Sequence, residues 1–433
     1  MSLTLGIDLG TSACRVALLD EQGRCQVLAR ASLPAPLTSP TGIEQDPLLW
    51  WQACKKALRE VFISAPASEV AAIAIDGTSS TLLLSTRQGQ PLGPALMYND
   101  SRAREQATSL AGIAPPGAAV HSPSSSLAKL LWLLEHAAPP DTPFMALHQA
   151  DWLLGRFSGR YDRSDENNAL KLGYDPLQRE WPEWLGQLSL PGNASISSCL
   201  PAVVPAGSPL GPLDPSIARE FGLSSDCQLI AGTTDSTAAF LAAGAHTVGE
   251  AVTTLGSTLV VKVLSERPVF APQYGIYSHR LGEQWLVGGA SNSGGNVLRQ
   301  FFSDAEIIEL SRHIDPAADC RLDYYPLLTR GERFPINDPD MAGCLEPRPD
   351  DDAAFLHGLF DGIAAIEALG YRRLHELGAP WPVSVRTVGG GANNAVWEKI
   401  RARHLSVAML KADFAEPACG SARLARAGLK KIR

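Results

Sequence analysis

A two-lobed α/β fold is predicted by three observations. The chain has 433 residues, beyond the length at which one hydrophobic core keeps growing. Its opening segment reads as antiparallel strands that lead through a helix into a parallel strand. A strand–glycine–hydroxyl–strand pattern from that segment then recurs in the second half, the mark of an internal duplication.

The elements follow in order. Leu3 to Leu9, Arg15 to Asp20 and Cys25 to Ala31 are apolar strand patterns joined by Gly10-Thr11-Ser12 and Glu21-Gln22-Gly23, which predicts a β-meander. Asp46-Pro47 supplies an N-cap and first-turn proline for a helix whose apolar face recurs at Trp50, Cys54, Leu58 and Val61. A strand at Val70 to Ile75 follows, then a hairpin within "TSSTLLLSTRQGQPLGPALMYND" and helices around Leu127 to His136 and Ala150 to Phe157. Pro176 to Pro215 is rich in turn residues and reads as extended surface structure. A boundary is expected near Leu229, giving lobes over 1–228 and 229–433.

The second lobe opens on "AVTTLGSTLVVKVLSE", Ala251 to Glu266, which echoes "IDLGTSACRVALLDE". A long helix from Asp351 to Leu377, a strand at Ser384 to Val388, a glycine loop, a helix and a last strand and helix are expected to complete it.

Composition narrows the function. With 45% hydrophobic and 19% charged residues the chain is an ordinary globular protein. A formal net charge of -8 argues against a nucleic-acid backbone or an anionic membrane as partner. The eight cysteines show no zinc or redox spacing, so reduced thiols in a cytoplasmic protein are expected. No room for a signal peptide and no apolar run of transmembrane length are read from the pattern. The Asn193-Ala194-Ser195 sequon is accordingly a chance match.

Four glycine and hydroxyl stretches suit phosphate, because tight turns aim successive N–H groups at one anion. They are Asp8 to Ser12, Leu255 to Thr258, Gly288 to Gly295 and Gly389 to Trp397. No Gly-Lys dipeptide occurs, so a P-loop is absent, and neither the dinucleotide spacing nor His-Arg-Asp is present. The repeated glycine hairpins in two lobes resemble the ribonuclease H-like arrangement of actin, the sugar kinases and the heat-shock ATPases, a resemblance that implies an active site in the cleft between lobes. Asp8 itself poses a problem: a carboxylate in an apolar strand needs a partner or a cation.

"GIDLGTS", "AIDGTSSTLLL", "PALMYNDSRA", "ENNALKLGYD", "IAGTTDSTAAFLAAGA", "TTLGSTLVVK", "GGGANNAVW" and "EPACGSARLARAG" together resemble the FGGY carbohydrate kinases across nearly the whole chain. The "DGTS", "YNDSRA" and "NNALKLGYD" variants are most similar to the D-ribulose kinase, xylulokinase-like branch. The resemblance implies ATP and Mg²⁺ as cofactors, a small sugar as substrate, and a monomer or homodimer. It places Asp8 near the metal through water, and Thr11, Ser12, Gly256 and Ser257 on phosphate. Asp235 becomes the catalytic base, starting a helix whose positive end keeps it ionised. Ser79, with Asp8 and Asp235, would hold the sugar, and Asn99, Asp100 and Asn168 are lesser candidates that also suit turns and caps. Gly294, Gly295, Gly390, Gly391, Asn394 and Trp397 would meet the nucleotide, although Trp397 equally fits a core position. Glu416 to Gly420 would pack against the same adenosine pocket.

Two departures stand out. The second hairpin reads Gly256-Ser257-Thr258, whereas many family members have Gly-Thr-Ser, and the chain is shorter than the larger members. Terminal phosphorylation of a ketopentose, D-ribulose before D-xylulose, is the expected reaction. A nucleotide-gated assembly protein and a catalytically silent sensor of the same fold are the alternatives.

Overall fold

The computed structural model describes residues 2–137, 143–188 and 195–432. The chain divides into two compact units, Met1–Ala242 with Glu416–Arg433, and Ala243–Ala415.

The first unit is built on a six-stranded sheet in the order Pro209–Pro212, Gln228–Thr234, Val70–Gly77, Leu3–Leu9, Ala13–Leu19, Cys25–Ser32. Leu3–Leu9 runs antiparallel to its hairpin partner and parallel to Val70–Gly77, which is parallel in turn to Gln228–Thr234. The second unit has the order His279–Leu281, Gln284–Ser291, Leu259–Ser265, Glu250–Leu255, Ser384–Val388, Ala408–Lys411. Its opening strand Glu250–Leu255 is likewise antiparallel to a hairpin partner and parallel to Ser384–Val388. Five strands therefore repeat one topology in each unit, the duplication that the recurring hairpin sequence implied.

Helices cover these sheets as their patterning requires. In Pro47–Ser64, Asp46 accepts from Leu48 N at 2.9 Å, Pro47 opens the first turn, and Trp50, Cys54, Leu58 and Val61 are buried. The opposite face of the first sheet carries Pro417–Leu429, whose Ala425 packs with Ala72, Ala74 and Ile230. Gly6 permits this approach, since a Cβ there would stand 1.9 Å from the Ala418 carbonyl oxygen. A second, five-stranded sheet in the first unit contains Leu82–Thr86, Ala95–Leu96 and Phe144–His148. Helix Ser126–His136 contributes to the core beside it.

The structure corrects four expectations. The chain leaves the first unit at Ala242 rather than near Leu229, because Gln228–Thr234 is an interior strand of the first sheet. The final helix returns to that sheet instead of completing the second unit. Gly288 and Gly289 belong to the strand Gln284–Ser291, which leaves only the residues after Ser291 as a turn. One helix, Asp352–Glu376, does have the length and apolarity to cross a membrane, with mean hydropathy 1.3. Its apolar window is 72% buried, and Phe355, Leu359, Phe360 and Ile363 sit in the second unit's core. Asn193 and Ala194 of the sequon lie outside the described residues.

Candidate active site

Parallel register sets the chemistry of the first unit. Asp8 pairs with Asp76 across two neighbouring strands, and Thr233 pairs with Asp76 on the next. Asp235 follows at the first position of helix Asp235–Ala243. Three carboxylates thus gather at one end of three adjacent strands, close enough for Asp8 to feel both others.

Asp8 is compensated first by protein. Arg15, its antiparallel cross-strand partner, donates Nη1 to Asp8 Oδ2 at 3.0 Å, and its Nε meets Glu416 Oε2 at 3.0 Å. Burial still pushes Asp8 up to about 6, with Arg15 pulling down and Asp235 pushing up. Of the partner or cation that the sequence called for, Arg15 is the partner.

Asp76 is the residue that sequence reasoning missed. It is fully buried, Ser421 Oγ donates to its Oδ2 at 2.5 Å, and its Oδ1 finds no donor among the described residues. Burial and then the Asp8 charge raise its carboxyl well above the usual range. Two contacting carboxylates cannot both ionise readily, so Asp76 carries the shared proton and Asp8, favoured by Arg15, carries the charge. The signal was present: "AIDG" at Ala74 to Gly77 repeats "GIDLG" at Gly6 to Gly10.

The surrounding turns present polar groups. Thr11 is half-buried and Ser12 exposed at the first hairpin, and among the described residues neither hydroxyl has a hydrogen bond. Ser79 is the one residue of Thr78–Thr81 that reaches solvent. Asn99 is exposed, but Asp100 is buried and occupied by Arg102, with 2.7 Å to Nη2, and by Ile43 N at 2.7 Å. Asn168 is buried against Asp165, to which its Nδ2 donates at 2.7 Å. Asp100 and Asn168 thus act in local structure, as turn and cap formers do.

The second unit holds a cavity of about 690 Å³, within the usual range for small-ligand sites. Gly256, Ser257, Gly295, Gly390, Gly391, Asn394 and Trp397 line it, and Thr258 does not. The swapped hydroxyls are thereby resolved: exposed Ser257 is the one on the cavity wall. Gly295 builds the turn rather than offers a donor, since its N–H is bonded to Gly256 O at 2.9 Å and a Cβ there would meet that oxygen at 2.6 Å, while Gly294 before it has φ of +141°. Asn394 caps helix Ala395–Leu405, its Oδ1 accepting from Val396 N and Trp397 N and its Nδ2 bonded to Ser311. Trp397 is a core residue whose indole N–H donates to Phe360 O at 3.1 Å while its ring stacks on Phe360 at 4.7 Å. Gly390 and Gly391 keep the wall thin beside it. The facing wall, from helix Asp304–Ser311, escaped the sequence reading; there Ile308 is 60% exposed, an apolar flank for a planar base.

The first unit matches the N-terminal domain of the FGGY family of carbohydrate kinases over residues 3–242, and the C-terminal domain of that family matches 251–429. This chain belongs to the FGGY carbohydrate kinase family. The xylulose kinase of Escherichia coli K12 is 26% identical, over 98% of this chain and 89% of its own length. The gluconokinase of Bacillus subtilis is 22% identical, over 79% of this chain and 70% of its own length. Among solved structures, a ligand-bound xylulose kinase from Lactobacillus acidophilus superposes with a TM-score of 0.85 at 18% identity, covering 100% of this chain and 90% of that one. Plasmodium falciparum glycerol kinase with ADP gives 0.84 at 16%, with the same coverages.

This FGGY kinase is an ATP-dependent sugar phosphotransferase that uses Mg²⁺. Its first-unit residues fit the ion: with Asp76 protonated, Asp8 and Asp235 against one guanidinium still leave excess negative charge, and the raised Asp8 would be relieved by a hard cation. Among the described residues no cluster of His, Cys, Asp or Glu could cage a metal.

Proposed function

We propose that this kinase phosphorylates the terminal hydroxyl of a ketopentose, D-ribulose in the first place. The observation that carries the reading is the row formed by Asp8, Asp76 and Asp235 at the ends of adjacent strands, with Ser79 reaching solvent from the turn that follows Asp76. Two carboxylate acceptors, Asp8 and Asp235, beside a hydroxyl-bearing turn suit a polyol better than an apolar or anionic substrate. Within the row Asp235, at the first position of its helix, accepts the hydrogen bond of the hydroxyl to be phosphorylated. Because phosphoryl transfer has a loose transition state, that orientation contributes more than early removal of the proton.

Asp8 would hold Mg²⁺ through water, and the ion supplies charge neutralisation on the phosphates. Thr11, Ser12, Gly256 and Ser257 offer backbone and hydroxyl donors to the phosphates. The adenosine end occupies the second unit's cavity, with the base against the Ile308 side and the Gly390–Gly391 wall. Eight free thiols support a cytoplasmic location.

D-xylulose is the second reading, favoured by the xylulose kinases among the relatives. The test is ADP production with Mg-ATP across D-ribulose, D-xylulose, L-ribulose, L-xylulose, ribitol and glycerol, with Asp235→Ala as control. A response to D-ribulose that vanishes in the variant is expected. A stronger response to D-xylulose would move the second reading ahead, and no sugar response at all would overturn both.

A further inference from the structure

One buried cation in the first unit has no part in the chemistry above. Lys129, in helix Ser126–His136, is fully buried, and its Nζ donates to the carbonyls of Ser80 at 2.9 Å and Met97 at 2.6 Å. An apolar side chain would fill the same space without desolvating an amine, so the packing alone does not call for lysine. Its two acceptors do.

Each carbonyl belongs to a tight turn. Thr81 N donates to Thr78 O at 3.3 Å, closing a turn whose solvent-reaching residue is Ser79. Asp100 N donates to Met97 O at 2.9 Å, closing a turn that exposes Tyr98 and Asn99. Ser80 has φ of +73°, a left-handed backbone that a serine does not hold without external restraint. Lys129 is bonded to the carbonyl of that residue. At the other end of the same turn, Thr78 N and Oγ1 both donate to Gln149 Oε1, at 2.9 and 2.7 Å.

The helix that carries Lys129 is itself pinned. One turn earlier, Ser126 Oγ lies 2.9 Å from His148 Nε2, and His148 Nδ1 lies 3.0 Å from Asp151 Oδ2, with all three residues buried. This line has the order of a hydrolase triad but no access for a substrate, so its effect is mechanical: it locks Ser126 and the residue before Gln149 together. Burial lowers the Lys129 amine to about 7, and a neutral amine has two N–H groups for its two carbonyls.

We propose that Lys129 is a positioning residue that fixes the spacing between the Thr78–Thr81 and Met97–Asp100 turns, and through it the recognition of sugar hydroxyls by Ser79 and Asn99. The proposal rests on the sugar-binding reading of those two residues. It makes Lys129 a determinant of which pentulose is accepted, because stereoisomers differ in the placement of hydroxyls that the two turns read jointly.

The experiment compares wild type, Lys129→Met and Ser79→Ala at 25 °C, with circular dichroism to establish the fold, for KM of sugar, KM of ATP, kcat, and the D-ribulose to D-xylulose ratio of kcat/KM. Expected for Lys129→Met are a sugar KM raised about tenfold, an ATP KM within about twofold of wild type, and a changed sugar ratio. A helix-packing residue would lower the melting temperature and leave the ratio alone. If Ser79→Ala raises the sugar KM while folded Lys129→Met does not, the positioning role is refuted and the sugar site stands. If neither variant alters it, both fall. Should Lys129→Met not fold, Lys129→Gln, which keeps two N–H donors on a shorter stem, is measured in its place by the same criteria.

Discussion

Placing a methyl group on Gly6 tests how the fold supports the carboxylate row. In Gly6→Ala the new Cβ stands 1.9 Å from Ala418 O and 2.3 Å from Ala422 N. Since such atoms rest roughly 3.5 Å apart, helix Pro417–Leu429 must retreat by roughly 1.5 Å. Ser421 rides on that helix, so its 2.5 Å bond to Asp76 is drawn beyond hydrogen-bond length. Overpacking costs about 1–3 kcal/mol, and leaving a buried carboxyl oxygen without its donor costs about 1–3 kcal/mol more. The first unit should lose about 2–6 kcal/mol and melt roughly 5–20 °C lower. Differential scanning calorimetry reads this directly, with Gly93→Ala, where a Cβ meets nothing within 4 Å, as the control. A Gly6→Ala protein that melts with the control and turns over normally would refute the claimed contact between first strand and last helix.

Removing the proposed base should act on turnover rather than binding: Asp235→Asn is expected to lower kcat by about 10²–10⁴ while the sugar KM, from initial rates, changes only a few-fold. In the second unit Arg401 and Glu367 are each 1% exposed and joined at 2.6 Å, with Thr253 donating to the same carboxylate and the Tyr371 hydroxyl paired with Thr253 at 2.9 Å. Arg401→Met leaves Glu367 buried without a counter-charge, and urea titration should show about 3–5 kcal/mol lost. Lys129 predicts a pH dependence. Burial holds its native pKa near 7 against 10.5 for the free side chain, with Asp100 raising it and Lys171 and Arg102 lowering it. Above pH 7 the unfolded chain binds a proton that the native one does not, so stability rises with pH, by about 2 kcal/mol from pH 7 to 9 relative to Lys129→Met. Parallel slopes for the two proteins in urea titrations at both pH values would contradict it.

The duplicated fold was legible because its parts are local. Hairpin patterns and the Asp46-Pro47 cap act within a few residues and emerged where their patterns lie, whereas Gly288 and Gly289, read as part of a turn, lie in a strand. What could not be read depends on tertiary pairing. Arg15 was visible as a strand residue, but its role follows from lying opposite Asp8 in register. Asp76 needed the parallel pairing of two strands separated by a helix, and its donor Ser421 comes from the far end of the chain. Asn394 and Trp397 line the cavity where the resemblance placed them, but that their polar atoms are engaged by a helix cap and the Phe360 carbonyl follows only from the fold. The unit boundary was missed for a related reason: nothing local to Gln228–Thr234 records that it pairs with Val70–Gly77 inside the first sheet.

That returning helix ties competence to the order of synthesis. Everything in Ala243–Ala415 must be translated before Ser421 exists to meet Asp76, a delay on the order of ten to thirty seconds. A nascent chain can therefore display Asp8, Asp76 and Asp235 while its central sheet still has one bare face and one unanswered carboxyl. The Ser421 donor arrives last, with the residues that follow Glu416, so a chain terminated before them leaves Asp76 without its partner even when the second unit is whole.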